Sequence, residues 1–299
     1  MYRKIIVGHD LHAGGADALA LGRQLAQATD AQLVVAGIFP IGALPNGFES
    51  SWIDEQEEVA REIQRIADEA GAEAEAFPSR SPALGLHGLA EETDADLVIV
   101  GSSRHSKLSQ ILAGNVGLGL LHGAPCAVAI APRGYAEQAR EPSTVIVGFD
   151  GCHASRLALE DAVELAEGSG ATLKLVAVAE EPAIVYGKGG NLGGLQELKE
   201  AIKEQAQEQL DEALGSIPNS VTTEATLVVG DPAEKLAEAA SPGSILVLGS
   251  RAYGPLRRVL LGSVSTALMS TAPCPVLVHP RGVESDSRAS QAAAAGTVA

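Results

Sequence analysis

Aromatic side chains are scarce in this chain: Phe, Trp and Tyr make up 3% of its 299 residues. No row of rings is available on which the bases of a single strand could stack. Positive charge is also in short supply, with 21 Lys and Arg against 38 Asp and Glu and a formal net charge of −17. A surface of that sign repels phosphodiester backbones and anionic lipid, which excludes non-specific nucleic-acid binding and membrane-surface attachment. Three cysteines, an odd number, exclude a disulfide framework and point to a reducing, cytoplasmic compartment. Cys126 and Cys274 each open an apolar run after a proline and read as small buried apolar residues, whereas Cys152 falls in a predicted loop and reads as an exposed thiol. The start, MYRKIIVGHD, has only a three-residue apolar run before Gly8 and does not read as a secretory signal. Leu108 to Pro132 lacks Asp, Glu, Lys and Arg, but its four glycines and two prolines fit a short helix and a buried strand better than a membrane span.

What the chain does have is a duplication. LVIVGSSRHSKLSQILAGNVGLGLLHGAPCAVAIAP (Leu97 to Pro132) matches ILVLGSRAYGPLRRVLLGSVSTALMSTAPCPVLVHP (Ile245 to Pro280) at an offset of 148. RKIIVGHD matches STVIVGFD, and AQLVVAGI matches ATLKLVAV, both at 140; SRSPA matches VGDPA at 150. The second copy therefore carries about ten extra residues, read as a loop containing GKGGNLGG (Gly187 to Gly194). The domains read as 1–138 and 139–282. Residues 133–142 are a polar linker, and 283–299, rich in Ser, Ala and Gly, are a disordered tail.

Within each copy, short Val/Ile/Leu runs alternate with helical patterns. IIVG is followed by Ala18, Leu21, Leu25 and Ala28 at helical spacing; LVVAGIF by Val59, Ile63, Ile66 and Ala70; EAEAF by a helix opening at Pro82; LVIVG by a helix from Asn115; and CAVAIA closes the unit. Apolar strands alternating with helices predict an α/β fold: two tandem Rossmann-like domains, each a mainly parallel five-stranded sheet with helices on both faces.

In such a sheet, ligands bind beyond the carboxyl ends of the strands where strand order reverses. In the second copy that end carries Asp150, Val178 and Gly249. Gly249 lets the backbone approach a ligand without a side chain in the way. Gly262 and Ser263 precede the helix VSTALMS, and Ser263, with Val264 and Ser265 behind it, reads as an N-cap on an anion-binding helix start. Arg251, Arg257 and Arg258 are the loop's cations, and Asp150 is placed to accept hydrogen bonds from a ribose. His9 and His12 flank Asp10 and hint at a metal, but their loop setting is too weak to assign one.

These residues resemble the universal stress protein family. Its nucleotide-binding members carry a glycine, two residues, a glycine, nine residues, then glycine and Ser/Thr. Gly249, Gly262 and Ser263 match the first, third and fourth of these positions, and Ala252 stands at the second, with Gly254 two residues on. The resemblance implies that Asp150 contacts ribose, that Val178 lies beside adenine, and that Gly230-Asp231-Pro232 forms the turn before the third helix. The first copy departs further: Gly101 and Gly114 are in place, Arg104 replaces the second glycine, and Asn115 replaces the serine, while Asp10 and Ile38 suit ribose and adenine.

The resemblance thus implies a cytoplasmic regulatory stress protein that binds ATP, with Mg²⁺ reaching it through the phosphates, and whose second copy has the better-formed site. It also implies intramolecular pairing of the two domains as a pseudo-dimer, through Val276 to His279 and Ala127 to Ala131; a homodimer of the whole chain is left open. Two alternatives stay open: a nucleotide-free interaction protein, favoured by Ala252, Arg104 and Asn115, and a slow ATPase, for which only Asp150 is an acid near the site.

Overall fold

A computed structural model describes residues 2–40, 49–102, 114–138, 141–180, 192–250 and 262–279. The first copy runs β1 (Lys4–Gly8), α1 (Ala13–Thr29), β2 (Gln32–Pro40), α2 (Glu49–Ala70), β3 (Glu73–Ser79), α3 (Pro82–Glu92), β4 (Leu97–Gly101), α4 (Asn115–Leu121) and β5 (Ala127–Ala131). After α5 (Tyr135–Gln138), the second copy repeats the order: β6 (Thr144–Phe149), α6 (His153–Ser169), β7 (Thr172–Ala179), α7 (Leu192–Ser216), β8 (Thr223–Val229), α8 (Pro232–Ala239), β9 (Ser244–Gly249), α9 (Ser263–Thr271) and β10 (Val276–His279).

The ten strands form one sheet in the order β3-β2-β1-β4-β5-β10-β9-β6-β7-β8. Pairing is parallel within each half, and β5 meets β10 antiparallel, with Leu277 opposite Ala129. The period-2 alternation of the strands divides the core into two layers. Ile5, Val7, Leu97, Ile99, Val145, Val147 and Leu277 face one layer; Ile6, Val98, Val100, Ile146, Leu246, Val276 and Val278 face the other. Both layers run unbroken across the two repeats. On the first, β5 presents only Ala127, Ala129 and Ala131, and the helices α1 and α6 cross close together beside it. Their approach leaves no room at Gly168, where a Cβ would strike the Ala28 carbonyl.

A polar clasp joins the two halves as well. The Tyr2 hydroxyl donates to Asp161 Oδ2 at 2.7 Å, and His279 Nδ1 lies 2.5 Å from the same oxygen. Burial first, and Asp161 second, push the Tyr2 phenol well above its ordinary range.

Two segments differ from the sequence expectation. The GKGGNLGG stretch is not loop throughout, because α7 begins at Leu192 and takes in Gly193 and Gly194. The connector is not a solvated linker either. Tyr135 is buried and its hydroxyl donates to Gln24 of α1 at 2.5 Å. Asp17 of α1 accepts from the backbone N–H groups of Gly134 and Ala136 at 2.9 and 2.8 Å. Desolvation raises the Asp17 pKa, and these bonds partly oppose that. The predicted tail, 283–299, lies outside the described residues.

Candidate functional site

The strand order places β1 between β4 and β2, and β6 between β9 and β7. Chains leave neighbouring strands in opposite directions there, opening a crevice at their carboxyl ends. Each repeat has a pocket at that point, on the side of α3 and α4 or of α8 and α9.

In the second repeat, one pocket gathers Asp150, Val178, Gly249, Gly262, Ser263, Val264 and Ser265. Its apolar floor is Val176, Leu236 and Leu248. Asp150 follows β6, and its Oδ1 accepts from the Cys152 N–H at 3.1 Å, closing the turn into α6. The turn needs a left-handed residue, which Gly151 supplies at φ 72. The Ser155 hydroxyl braces it, donating to the Cys152 carbonyl at 3.0 Å. On the opposite wall, α9 points its first turn into the pocket. The N-cap is Gly262, not Ser263, and it offers no side-chain acceptor to the first N–H groups. Ser263 is already helical. Its backbone and those of Val264 and Ser265 thus form the positive end of the helix dipole.

In the first repeat, Asp10, Ile38, Gly101, Gly114 and Asn115 line the matching pocket. Asp10 Oδ1 accepts from His12 at 3.0 Å and from Gly15 at 2.9 Å, and Gly114, not Asn115, is the N-cap of the short α4. His9 lines this pocket too, and its Nδ1 accepts the Leu11 N–H at 3.1 Å. Burial, the first cause, lowers the His9 pKa below its ordinary 6.5. Among the described residues, no three His, Cys, Asp or Glu side chains are grouped to hold a metal ion.

The strand-ending glycines line the pockets and also answer a packing demand. A Cβ on Gly101 would collide with the backbone of Gly14, and one on Gly249 with the carbonyl of Ala154. That packing constraint is the start of α1 or α6 lying against the strand end. The next serine then turns the chain: Ser102 donates both its N–H and its hydroxyl to the Ala131 carbonyl, at 2.9 and 2.7 Å, and the Ser250 N–H donates to His279 at 2.9 Å.

Arg104, Arg251, Ala252, Gly254, Arg257 and Arg258 lie outside the described residues. The sequence reading missed His9, Cys152, Ser155 and Glu180 as pocket residues. Glu180 had a legible signal, since it continues the every-second-residue row of Val176 and Val178. The turn before α8 has Asp231 as its N-cap, accepting from the Glu234 N–H at 2.9 Å. The thiols of Cys126 and Cys274 are buried, and desolvation pushes each up to about 12, while Cys152 is exposed.

The universal stress protein family model matches residues 1–132 and again 142–280. A universal stress protein of Mycobacterium tuberculosis (strain ATCC 25618 / H37Rv) is 27% identical over 291 residues, 92% of this chain and 99% of that protein. One from Thermus aquaticus is 34% identical over 141 residues, 45% of this chain and 96% of that protein. The crystal structure of a universal stress protein from Archaeoglobus fulgidus shares the fold at a TM-score of 0.66 and 22% identity, covering 93% of this chain and 98% of that one. No helix among the described residues is long and apolar enough to cross a membrane. With the family pattern matched once by each half of a duplicated α/β chain, this protein belongs to the universal stress protein family.

Proposed function

We propose that the chain is a regulatory stress protein that binds ATP, chiefly in the second repeat, and reports its nucleotide state through shape or partners. One observation carries this reading: a single pocket assembles Asp150, Val178, Gly249 and the first turn of α9 from residues far apart in sequence. Helix-start N–H groups suit phosphates, the Asp150 carboxylate suits ribose hydroxyls, and the valines suit the face of a base. Mg²⁺ would arrive on the phosphates. We place the two units at 1–138 and 139–282 and read them as a pseudo-dimer within one chain, supported by the antiparallel β5–β10 seam. The three free cysteines support a cytoplasmic location.

For the first repeat a nucleotide-free role is the second reading, favoured by the partly buried His9 ring in its pocket. Heat-denaturing freshly purified protein and chromatographing the supernatant tests both. Two equivalents of ATP per chain make both pockets competent, and one supports the second pocket alone. None, followed by no binding in a Mg-ATP titration, overturns the proposal. Gly262 has an extended backbone, φ −70 and ψ 163, that any residue can adopt. Gly262→Trp should therefore fold and lose the second-pocket nucleotide; retained affinity would count against the assignment.

A further inference from the structure

The second pocket contains a carboxylate that the ribose and phosphate reading leaves unused. Val176, Val178 and Glu180 lie at alternate positions along and just beyond β7, so they face the same wall, and all three line the pocket. Glu180 is exposed at the mouth. The order β9-β6-β7 sets the direction of the site. The first turn of α9 follows β9, Asp150 follows β6, and Glu180 follows β7. With strands about 4.8 Å apart, the Glu180 end lies roughly 10 Å across the sheet from the phosphate end. A carboxylate there does not oppose the phosphates. It stands where the edge of a base would lie, beyond the apolar wall that would cover its face. The first repeat has Pro40 at this position, a residue whose side chain carries no acceptor.

Resting on the proposed nucleotide site, we infer that Glu180 is a specificity-determining residue of the second pocket: it selects bases with an amino group at position 6 and rejects those with a carbonyl there. An ionised carboxylate only accepts hydrogen bonds. Facing position 6, it takes one from the 6-amino group of adenine, whereas a 6-oxo purine turns an acceptor towards an acceptor there and forfeits that bond. The two pockets of this chain then differ in selectivity, with base discrimination concentrated in the second.

ATP and ITP, the probes, differ at position 6 and at N1, which carries a hydrogen only in ITP; a wild type that favours ITP would place the carboxylate against N1–H and overturn the inference. Calorimetric titration of the full chain compares wild type with Glu180→Ala and Glu180→Gln. The wild type should prefer ATP over ITP. Glu180→Ala should cut that preference about tenfold, the scale of one hydrogen bond to a charged group. Glu180→Gln, whose amide both donates and accepts, should bind ITP better than wild type does. Because Glu180 is an exposed residue just beyond its strand, both variants should fold, and unchanged circular dichroism checks this. An unchanged ATP-to-ITP ratio in Glu180→Ala, with ATP still bound, overturns the inference and leaves the proposed function standing. Wild type that binds neither nucleotide overturns both.

Discussion

The two pockets are built from one plan and have drifted at the same turn. Asp10 and Asp150 each begin the turn after the first strand of their repeat. The next residue takes a left-handed backbone in both: Leu11 at φ 59 in the first, Gly151 at φ 72 in the second. The residue before the aspartate is His9 in one and Phe149 in the other; the helix start carries Gly15 in one and Ser155 in the other. These last changes are linked. A Cβ on Gly15 would meet the His9 ring at 2.7 Å, so the histidine is compatible with glycine there. Duplication kept the backbone path and let the side chains around it diverge. A pocket's lining can therefore change without any change of fold.

The comparison breaks first where both copies share a demand. Gly101→Ala and Gly249→Ala each drive a methyl into the backbone of the facing helix start. Backbone cannot swing aside as a long side chain can, so each change should cost about 1–3 kcal/mol of stability, or more. Urea unfolding measures this. A loss confined to Gly249→Ala would mean that the first repeat tolerates a looser strand–helix contact.

The next effect is smaller and has the opposite sign. Left-handed backbone costs a non-glycine residue about 1–2 kcal/mol, and the extra freedom of an unfolded glycine returns part of that. Leu11→Gly should stabilise the chain by about 0.5–1 kcal/mol. A fall in stability would show that the partly buried Leu11 side chain matters more than its backbone strain.

The smallest effect depends on pH. Burial holds His9 below its ordinary value, with Asp10 and Glu62 opposing and His12 adding to the shift. Below about pH 6.5 the unfolded chain takes up this proton before the folded one does. Stability contributed by neutral His9 is therefore present above that pH and lost as pH falls through it. His9→Phe, which installs the second repeat's residue, should flatten the pH dependence of unfolding in this window. An unaltered profile would assign the slope to other groups.

Much of the architecture was legible because burial writes itself into local pattern. Apolar runs such as IIVG and LVIVG gave the parallel strands, and Pro82 and Pro232 marked helix starts that the structure places at those residues. Sequence proximity misled elsewhere. Ser263 has the chemistry of an N-cap, but the helix begins one residue earlier than that reading requires. Gly249 lines the pocket, and the helix start packed on it is a second demand for glycine that the sequence did not reveal. Tyr135 was hidden in a polar stretch because its partner, Gln24, lies 111 residues away.

The sequence by itself determined the duplication, the alternation of strands and helices, and the two sets of residues that end their strands on one edge. All of these follow from local periodicity and from repeats that can be aligned without coordinates. Only the tertiary structure decided that both layers of the core run through the two repeats, that Asp161 is shared by Tyr2 and His279, 159 and 118 residues away, and that the start of α6 packs against Gly249. Those features depend on which surfaces meet once the chain has folded, and contacts between distant segments leave no period in the sequence.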